Sequence, residues 1–243
     1  MRYALFGDIH ANLEALEVVL EQYEKEGVDE YICLGDIVGY GANPKECLEL
    51  VRQKCKRNLV VAGNHDHAIC GKLNIDFFNS YARQAVLWTR DQLGAEDIEY
   101  LRRLELVHKV DGACTIVHGT LNFPEMFDYI TTSYDAHLTL ELLDTAVCFL
   151  GHSHVPVTFF QGPTVTFSME PEIEIRAERK TLVNIGSVGQ PRDENPKAAY
   201  AIYDTDQGKV WVKRIDYDIE KAGKKILAAG LPEILAERLK YGR

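Results

Sequence analysis

The 243-residue chain has no long apolar run, no Cys-x-x-Cys pair, no low-complexity tract, no internal repeat and no surplus of positive charge. Each absence excludes something. The amino terminus, MRYALFGDIH, holds one basic residue and a short apolar run that meets Asp8 at once, so it reads as neither a secretory leader nor a membrane span. Cys33, Cys114 and Cys148 sit inside apolar strand-like runs, and the six cysteines read as reduced core residues, a usage that fits the cytosol. Thirty-seven acidic against 27 basic residues give a formal charge of −10, which repels a nucleic-acid backbone or an anionic membrane. The Lys54-Lys56-Arg57 cluster is no exception, because it closes a predicted helix where cations complement the helix dipole. No membrane and no non-specific nucleic-acid partner is expected.

What is present is an ordinary globular composition, 46% hydrophobic and 26% charged, in a length at the upper end of one domain. A single domain over residues 1–243 is expected. Tyr3 to Phe6, Tyr31 to Leu34 and Leu59 to Ala62 read as buried strands. Between them lie two helices, one capped by Asn12 and ended by Gly27, the other opened by Asn43-Pro44-Lys45-Glu46. The stretch from 76 to 106 is helical in pattern and reads as an excursion, a candidate lid. Val107 to Val110 and Ala113 to Val117 flank Asp111-Gly112, a two-residue hairpin signal. A helix from Asp135 to Leu143 and a strand from Ala146 to Leu150 follow. The last third holds short strand candidates separated by turns, read as antiparallel sheet, and then a helical tail. The simplest arrangement is an α/β four-layer α/β/β/α sandwich, two mixed β-sheets packed face to face with flanking helices.

Five apolar runs end in residues that bind metals: Asp8 with His10, Asp36, Asn64 with His65, His118, and His152 with His154. Ligands gather at the carboxyl edge of α/β sheets. Within D-I-H and H-S-H the polar residues are two apart, so on an extended backbone both face one point. Five of the eight histidines fall in these segments. Carboxylate, imidazole and amide donors without thiolate suit manganese, iron or zinc, with nickel and cobalt as further candidates. Seven such ligands, even with His65 set aside from the eight residues, are too many for one tetrahedral ion and suit two ions sharing a carboxylate, roughly 3.5 to 4 Å apart.

The ordered series G-D-I-H, G-D-I-V-G-Y-G, G-N-H-D, V-H-G and G-H-S-H, from Asp8 to His154, resembles the calcineurin-like metallophosphoesterases. It continues into N-I-G-S-V-G-Q-P-R at Asn184 to Arg192, which resembles the bacterial and archaeal single-domain phosphodiesterase members. The resemblance implies that Asp8, His10 and His154 hold one divalent ion, that Asn64, His118 and His152 hold the other, and that Asp36 bridges them. It further implies in-line attack of a metal-bound hydroxide on a phosphate monoester or diester. His65 is then the proton donor to the leaving group, a role that suits an imidazole titrating near neutrality.

One departure narrows the reading. Phosphoprotein phosphatases of the superfamily carry G-D-x-V-D-R-G at the bridging motif, where this chain has Gly39 and Tyr40. That weakens the alternatives of phosphoprotein phosphatase and dinucleoside polyphosphate hydrolase. Arg192 is the candidate phosphate clamp in place of the missing arginine. Tyr40 is a candidate pocket residue, and Asp66 a candidate second-shell residue orienting His65. His67 has no assigned role, while His108, His137, Arg83 and Arg90 read as structural or solvated. A non-enzymatic alternative is a metal-free protein-binding scaffold of the same fold, against which the complete ligand set argues. The expected partner is a small phosphate ester, and the oligomeric state stays open, a homo-oligomer included.

Overall fold

Alternation along the first strand, Arg2–Phe6 (β1), sets the layering of the molecule, a computed structural model describing residues 1–243. Tyr3 and Leu5 point one way into a core shared by two sheets, and Ala4 and Phe6 point the other way beneath helices. β1 runs parallel to β2 (Glu30–Cys33) and antiparallel to β10 (Ala198–Asp204). With β11 (Lys209–Ile215) and β8 (Glu172–Glu174) they form a five-stranded sheet in the order β2-β1-β10-β11-β8.

The second sheet has six strands in the order β3-β4-β5-β9-β6-β7. Its members are Val107–Val110 (β3), Cys114–Val117 (β4), Val147–Leu150 (β5), Val157–Phe160 (β6), Thr166–Ser168 (β7) and Thr181–Asn184 (β9). Ile116, Phe149 and Val183 meet Leu5, Ile32 and Leu34 between the sheets. Each such buried side chain contributes about 1.5–3 kcal/mol of transfer free energy. The outer face of the first sheet is covered by α1 (Leu13–Glu26) and α2 (Pro44–Lys54), that of the second by α6 (Ser133–Leu142). The four-layer α/β/β/α arrangement expected from the sequence is the one observed.

Local signals behave as their chemistry demands. Asn12 accepts from the Ala15 amide at 3.2 Å to start α1, and Gly27 ends it in the left-handed region at φ 62°. Asp111 and Gly112, at φ 43° and 73°, turn the β3–β4 hairpin. Three readings change. Leu59–Ala62 is not a ladder strand: only Val60 and Val61 form bridges, to Cys33 and Glu105. β9 is not part of an antiparallel run on both sides, since it lies parallel to β5 and antiparallel to β6. The segment after Gly63 is a helix, α3 (Asn64–Ile69), too short to show a hydrophobic period.

The 76–106 stretch contains α4 (Ser80–Gln92) and α5 (Ala95–Arg102), both packed on α3. Arg90 is not solvated as read. Its Nε donates to the Ile69 carbonyl at 3.1 Å and its Nη2 to that of Ala68, so it closes the carboxyl end of α3. The chain ends in α7 (Ile219–Ala228) and α8 (Glu233–Tyr241), which pack on each other and near Tyr40.

Candidate metal centre

The loops after β1, β2, β4 and β5 and the start of α3 bring the seven expected ligand residues to one edge of the sandwich. The loops after β1 and β2 are zipped together, with the amides of Asp8, His10 and Ala11 donating to the carbonyls of Gly35, Asp36 and Ile37 at 2.9–3.0 Å. The backbone there is not extended, as the D-I-H and H-S-H spacing suggested. Asp8, His10, Asp36, His152 and His154 have φ of 48°, 49°, 50°, 66° and 62°, so each pair converges through two left-handed corners. Such conformations in non-glycine residues cost of order 1 kcal/mol or more each and persist where surroundings enforce them.

The donor atoms form two groups. Asp8, His10, Asp36 and His154 offer one set within 4.8 Å of one another, and Asp36, His118 and His152 offer a second. Asp36 belongs to both, its Oδ2 lying 3.5 Å from His10 Nε2 and 3.4 Å from His118 Nε2. His154 Nε2 is 3.2 Å from Asp8 Oδ1 and 3.0 Å from His10 Nε2, and His118 Nε2 is 3.1 Å from His152 Nδ1. Asn64 lies beside these groups at the floor of a cleft, and its buried Oδ1, like Asp8 Oδ1, has no hydrogen-bond donor.

Tautomers show what the cluster is suited to hold. His118 Nδ1 donates to the Leu34 carbonyl at 2.7 Å, and His154 Nδ1 to that of Gln190 at 2.5 Å. In the neutral rings both Nε2 lone pairs then aim at carboxylate oxygens, an arrangement that requires a cation or a proton between them. The two rings differ in titration. Burial lowers His118, but the carboxylates of Asp36 and Asp8 overcome it and carry the ring up to about 9, whereas burial and Arg192 keep His154 low against the pull of Asp8. Burial alone raises Asp36, yet His118 and His65 hold it well below the usual carboxylate range. The donor set fits divalent ions bound by nitrogen and oxygen.

Glycines of the motifs make room for their neighbours' carboxylates. A Cβ on Gly63 would lie 2.0 Å from Asp36 Oδ1, and one on Gly151 would lie 2.3 Å from Asp8 Oδ2. Asp36 Oδ1 accepts from the His65 amide at 2.8 Å, and Asp8 Oδ2 from the His152 amide at 2.9 Å. The loop after β9 supports this from below: Ser187 Oγ donates to the Asp8 carbonyl at 2.8 Å, and the Gly189 amide donates there at 2.9 Å.

His65 stands beside the donors, its ring 4.9 Å from His10, 4.4 Å from Tyr40 and 5.2 Å from Phe78. Its Nδ1 has no partner. Burial first, then Arg192 among its neighbours, pushes it down to about 4 against the pull of Asp36, so its titration is far from the unperturbed value expected. Asp66 does not orient it. The Asp66 carboxylate accepts from the amides of Ile37 at 3.0 Å, Val38 at 3.4 Å and Gly63 at 3.0 Å, and so ties the Asp36 loop to the first turn of α3. His67 is buried against Phe127 and lies in neither donor group. His108 and His137 sit beside Glu105 and Glu141, away from the centre.

A cleft of about 520 Å³ opens over the centre, and Tyr40 and Arg192 are among its lining residues. The 76–106 stretch supplies one wall through Phe77 and Phe78, and the segment after His118 supplies the other through Met126, Phe127 and Tyr129. Those last residues escaped the sequence reading. The aromatic run N-F-P-E-M-F-D-Y, so soon after a strand-end histidine, was the available signal.

A family model for the calcineurin-like phosphoesterase superfamily domain matches residues 1–208. An uncharacterized protein of Methanocaldococcus jannaschii is 41% identical over 246 residues, covering 99% of this chain and 98% of its own. The crystal structure of a metallophosphoesterase from Sphaerobacter thermophilus superposes with a TM-score of 0.88 at 40% identity, covering 100% of this chain and 99% of that one. The phosphodiesterase YfcE of Escherichia coli is 23% identical over 214 residues, 85% of this chain and 89% of its own. Sequence, fold and donor chemistry therefore agree that the chain belongs to the calcineurin-like phosphoesterases, metal-dependent hydrolases of phosphoester bonds.

Proposed function

We propose that residues 1–243 form one domain carrying a dinuclear centre that hydrolyses a small phosphodiester, with monoesters as slower substrates. Asp8, His10 and His154 would hold one ion, Asn64, His118 and His152 the other, and Asp36 both. The observation that carries this is the single Asp36 Oδ2 lying within 3.5 Å of a histidine from each donor group. Nitrogen and oxygen donors favour manganese, iron or zinc. When bound, two such ions would supply neutralisation of charge on phosphoryl oxygens and acidification of water for in-line attack.

The chain's own groups do the rest. Arg192 grips a phosphoryl oxygen. His65 passes a proton to the leaving oxygen, and the negative charge of a bound phosphate raises it from its low resting value. Tyr40, packed against both His10 and His65, fixes the angle between them. Arg192 is the one guanidinium or ammonium group lining the cleft, and the exposed Glu125 carboxylate lines it too. One positive charge suits a singly charged diester better than a polyphosphate, and the Escherichia coli relative, named as a phosphodiesterase, points the same way. Six free, buried thiols support a cytosolic setting.

The test is hydrolysis of bis(p-nitrophenyl) phosphate by manganese-reconstituted protein, with metal content measured in parallel. Asp36→Asn is expected to lose bound metal and at least a hundredfold in kcat/KM. Wild-type rates in that variant refute the centre.

A further inference from the structure

A second cavity, of about 480 Å³, adjoins the cleft and shares Tyr129 with it as a wall. Ile130, Val155, Val157, Phe159, Phe167 and Met169 line it, together with serine and threonine side chains and no charged one. Phe167 and Met169 at its edge are each 64% exposed, so the fold itself does not bury them. The cavity begins at Ser153, between His152 and His154, and the Tyr129 ring stacks on His152 with centroids 4.0 Å apart and planes 14° apart.

We infer that this cavity binds the ester substituent of the substrate that is retained on phosphorus, and that the substituent is uncharged and apolar, an alkyl, acyl or aryl group. The inference rests on the phosphoesterase reading above. A diester carries two groups, and the centre has two compartments to receive them. Arg192 and His65 lie on the cleft side, where the leaving group departs. The other compartment starts at the histidine pair and offers apolar surface and hydroxyls, with no cationic side chain to pair a phosphate or sugar-phosphate chain. Its volume is within the range of small-molecule sites.

The experiment compares methyl, butyl and hexyl p-nitrophenyl phosphates with the manganese-loaded enzyme, and the calorimetric binding of methyl and hexyl phosphate to the same protein. Burial of methylenes predicts that kcat/KM and affinity rise about two- to fourfold per carbon until the cavity is filled. Phe167→Asp flattens that dependence, whereas Leu142→Asp, an exposed apolar position on α6 outside both compartments, preserves it. Equal affinity for methyl and hexyl phosphate overturns the inference. So does a Phe167→Asp variant that turns a dimer into a monomer in sedimentation while chain length has no effect, because the face then belongs to a second copy. Failure to hydrolyse even the methyl ester defeats the phosphoesterase reading alone, since hexyl phosphate binding lost in Phe167→Asp reports the cavity without turnover.

Discussion

Replacing Gly63 by alanine puts a methyl carbon 2.0 Å from Asp36 Oδ1 and 2.4 Å from the Asp36 amide nitrogen, over an ångström inside ordinary contact. Neither atom is the loose end of a flexible side chain, since Oδ1 is held by the His65 amide and the Asp36 loop by Asp66. Relief therefore requires Asp36 to retreat by roughly an ångström. Overpacking of this kind costs about 1–3 kcal/mol, a fall in Tm of about 2–4 °C per kcal/mol for a chain of this size. Misplacing a group by that distance costs about a hundredfold in rate, and here the group serves both donor sets. Gly63→Ala should therefore lose manganese affinity and at least a hundredfold in kcat/KM for bis(p-nitrophenyl) phosphate, yet stay folded by circular dichroism. Gly27→Ala is the matched control. Gly27 is left-handed at φ 62° with open space around it, so that substitution strains the backbone by roughly 1–2 kcal/mol and leaves turnover alone. Wild-type metal binding and turnover in Gly63→Ala would refute the placement of Asp36 between the two groups.

His65→Ala is expected to lower kcat most for alkyl leaving groups and least for p-nitrophenolate, which needs no proton; equal losses across a leaving-group series contradict the donor role. Asp66→Ala strands three buried backbone amides and should cost about 3 kcal/mol, read as a shift in the urea midpoint, with weaker metal binding because the Asp36 loop loosens. Burial, helped by Lys72, pushes His67 down to about 4. Between pH 6.5 and 4 the unfolded chain therefore takes up a proton that the folded protein refuses, and stability falls as pH falls through that window. His67→Gln should flatten the decline of Tm over that range, and an unchanged slope would show that His67 is not its source.

Much of the centre was legible because its chemistry is polar and its positions are strand ends. Asp8, Asp36, His118 and His152 stand out against the apolar runs before them, and the hairpin at Asp111-Gly112 needs a residue pair tolerant of positive φ. The failures share a cause. Asp66 is adjacent to His65, but α3 turns its carboxylate toward the Ile37 and Val38 amides, which no reading of neighbours along the chain detects. The left-handed corners at the candidate ligands are hidden because aspartate and histidine tolerate such a backbone without requiring it, and no turn pair marks those positions as Asp111-Gly112 does. Gly63 and Gly151 carry no sequence sign of the carboxylates they accommodate, because those come from loops distant along the chain. The cleft walls come from segments some fifty residues apart, Phe77 and Tyr129 among them, and only tertiary packing brings them together.

Since the candidate ligands sit on corners at one end of the strands, the opposite end takes no part in the centre. The Asp111-Gly112 hairpin and the Asp206–Gly208 turn after β10 lie there, at the ends of β4 and β10 remote from His118 and Asp8. Those two turns are the natural anchor points for immobilising the protein on a surface or fusing it to a carrier. A tether there pulls along the strands and leaves the cleft facing outward.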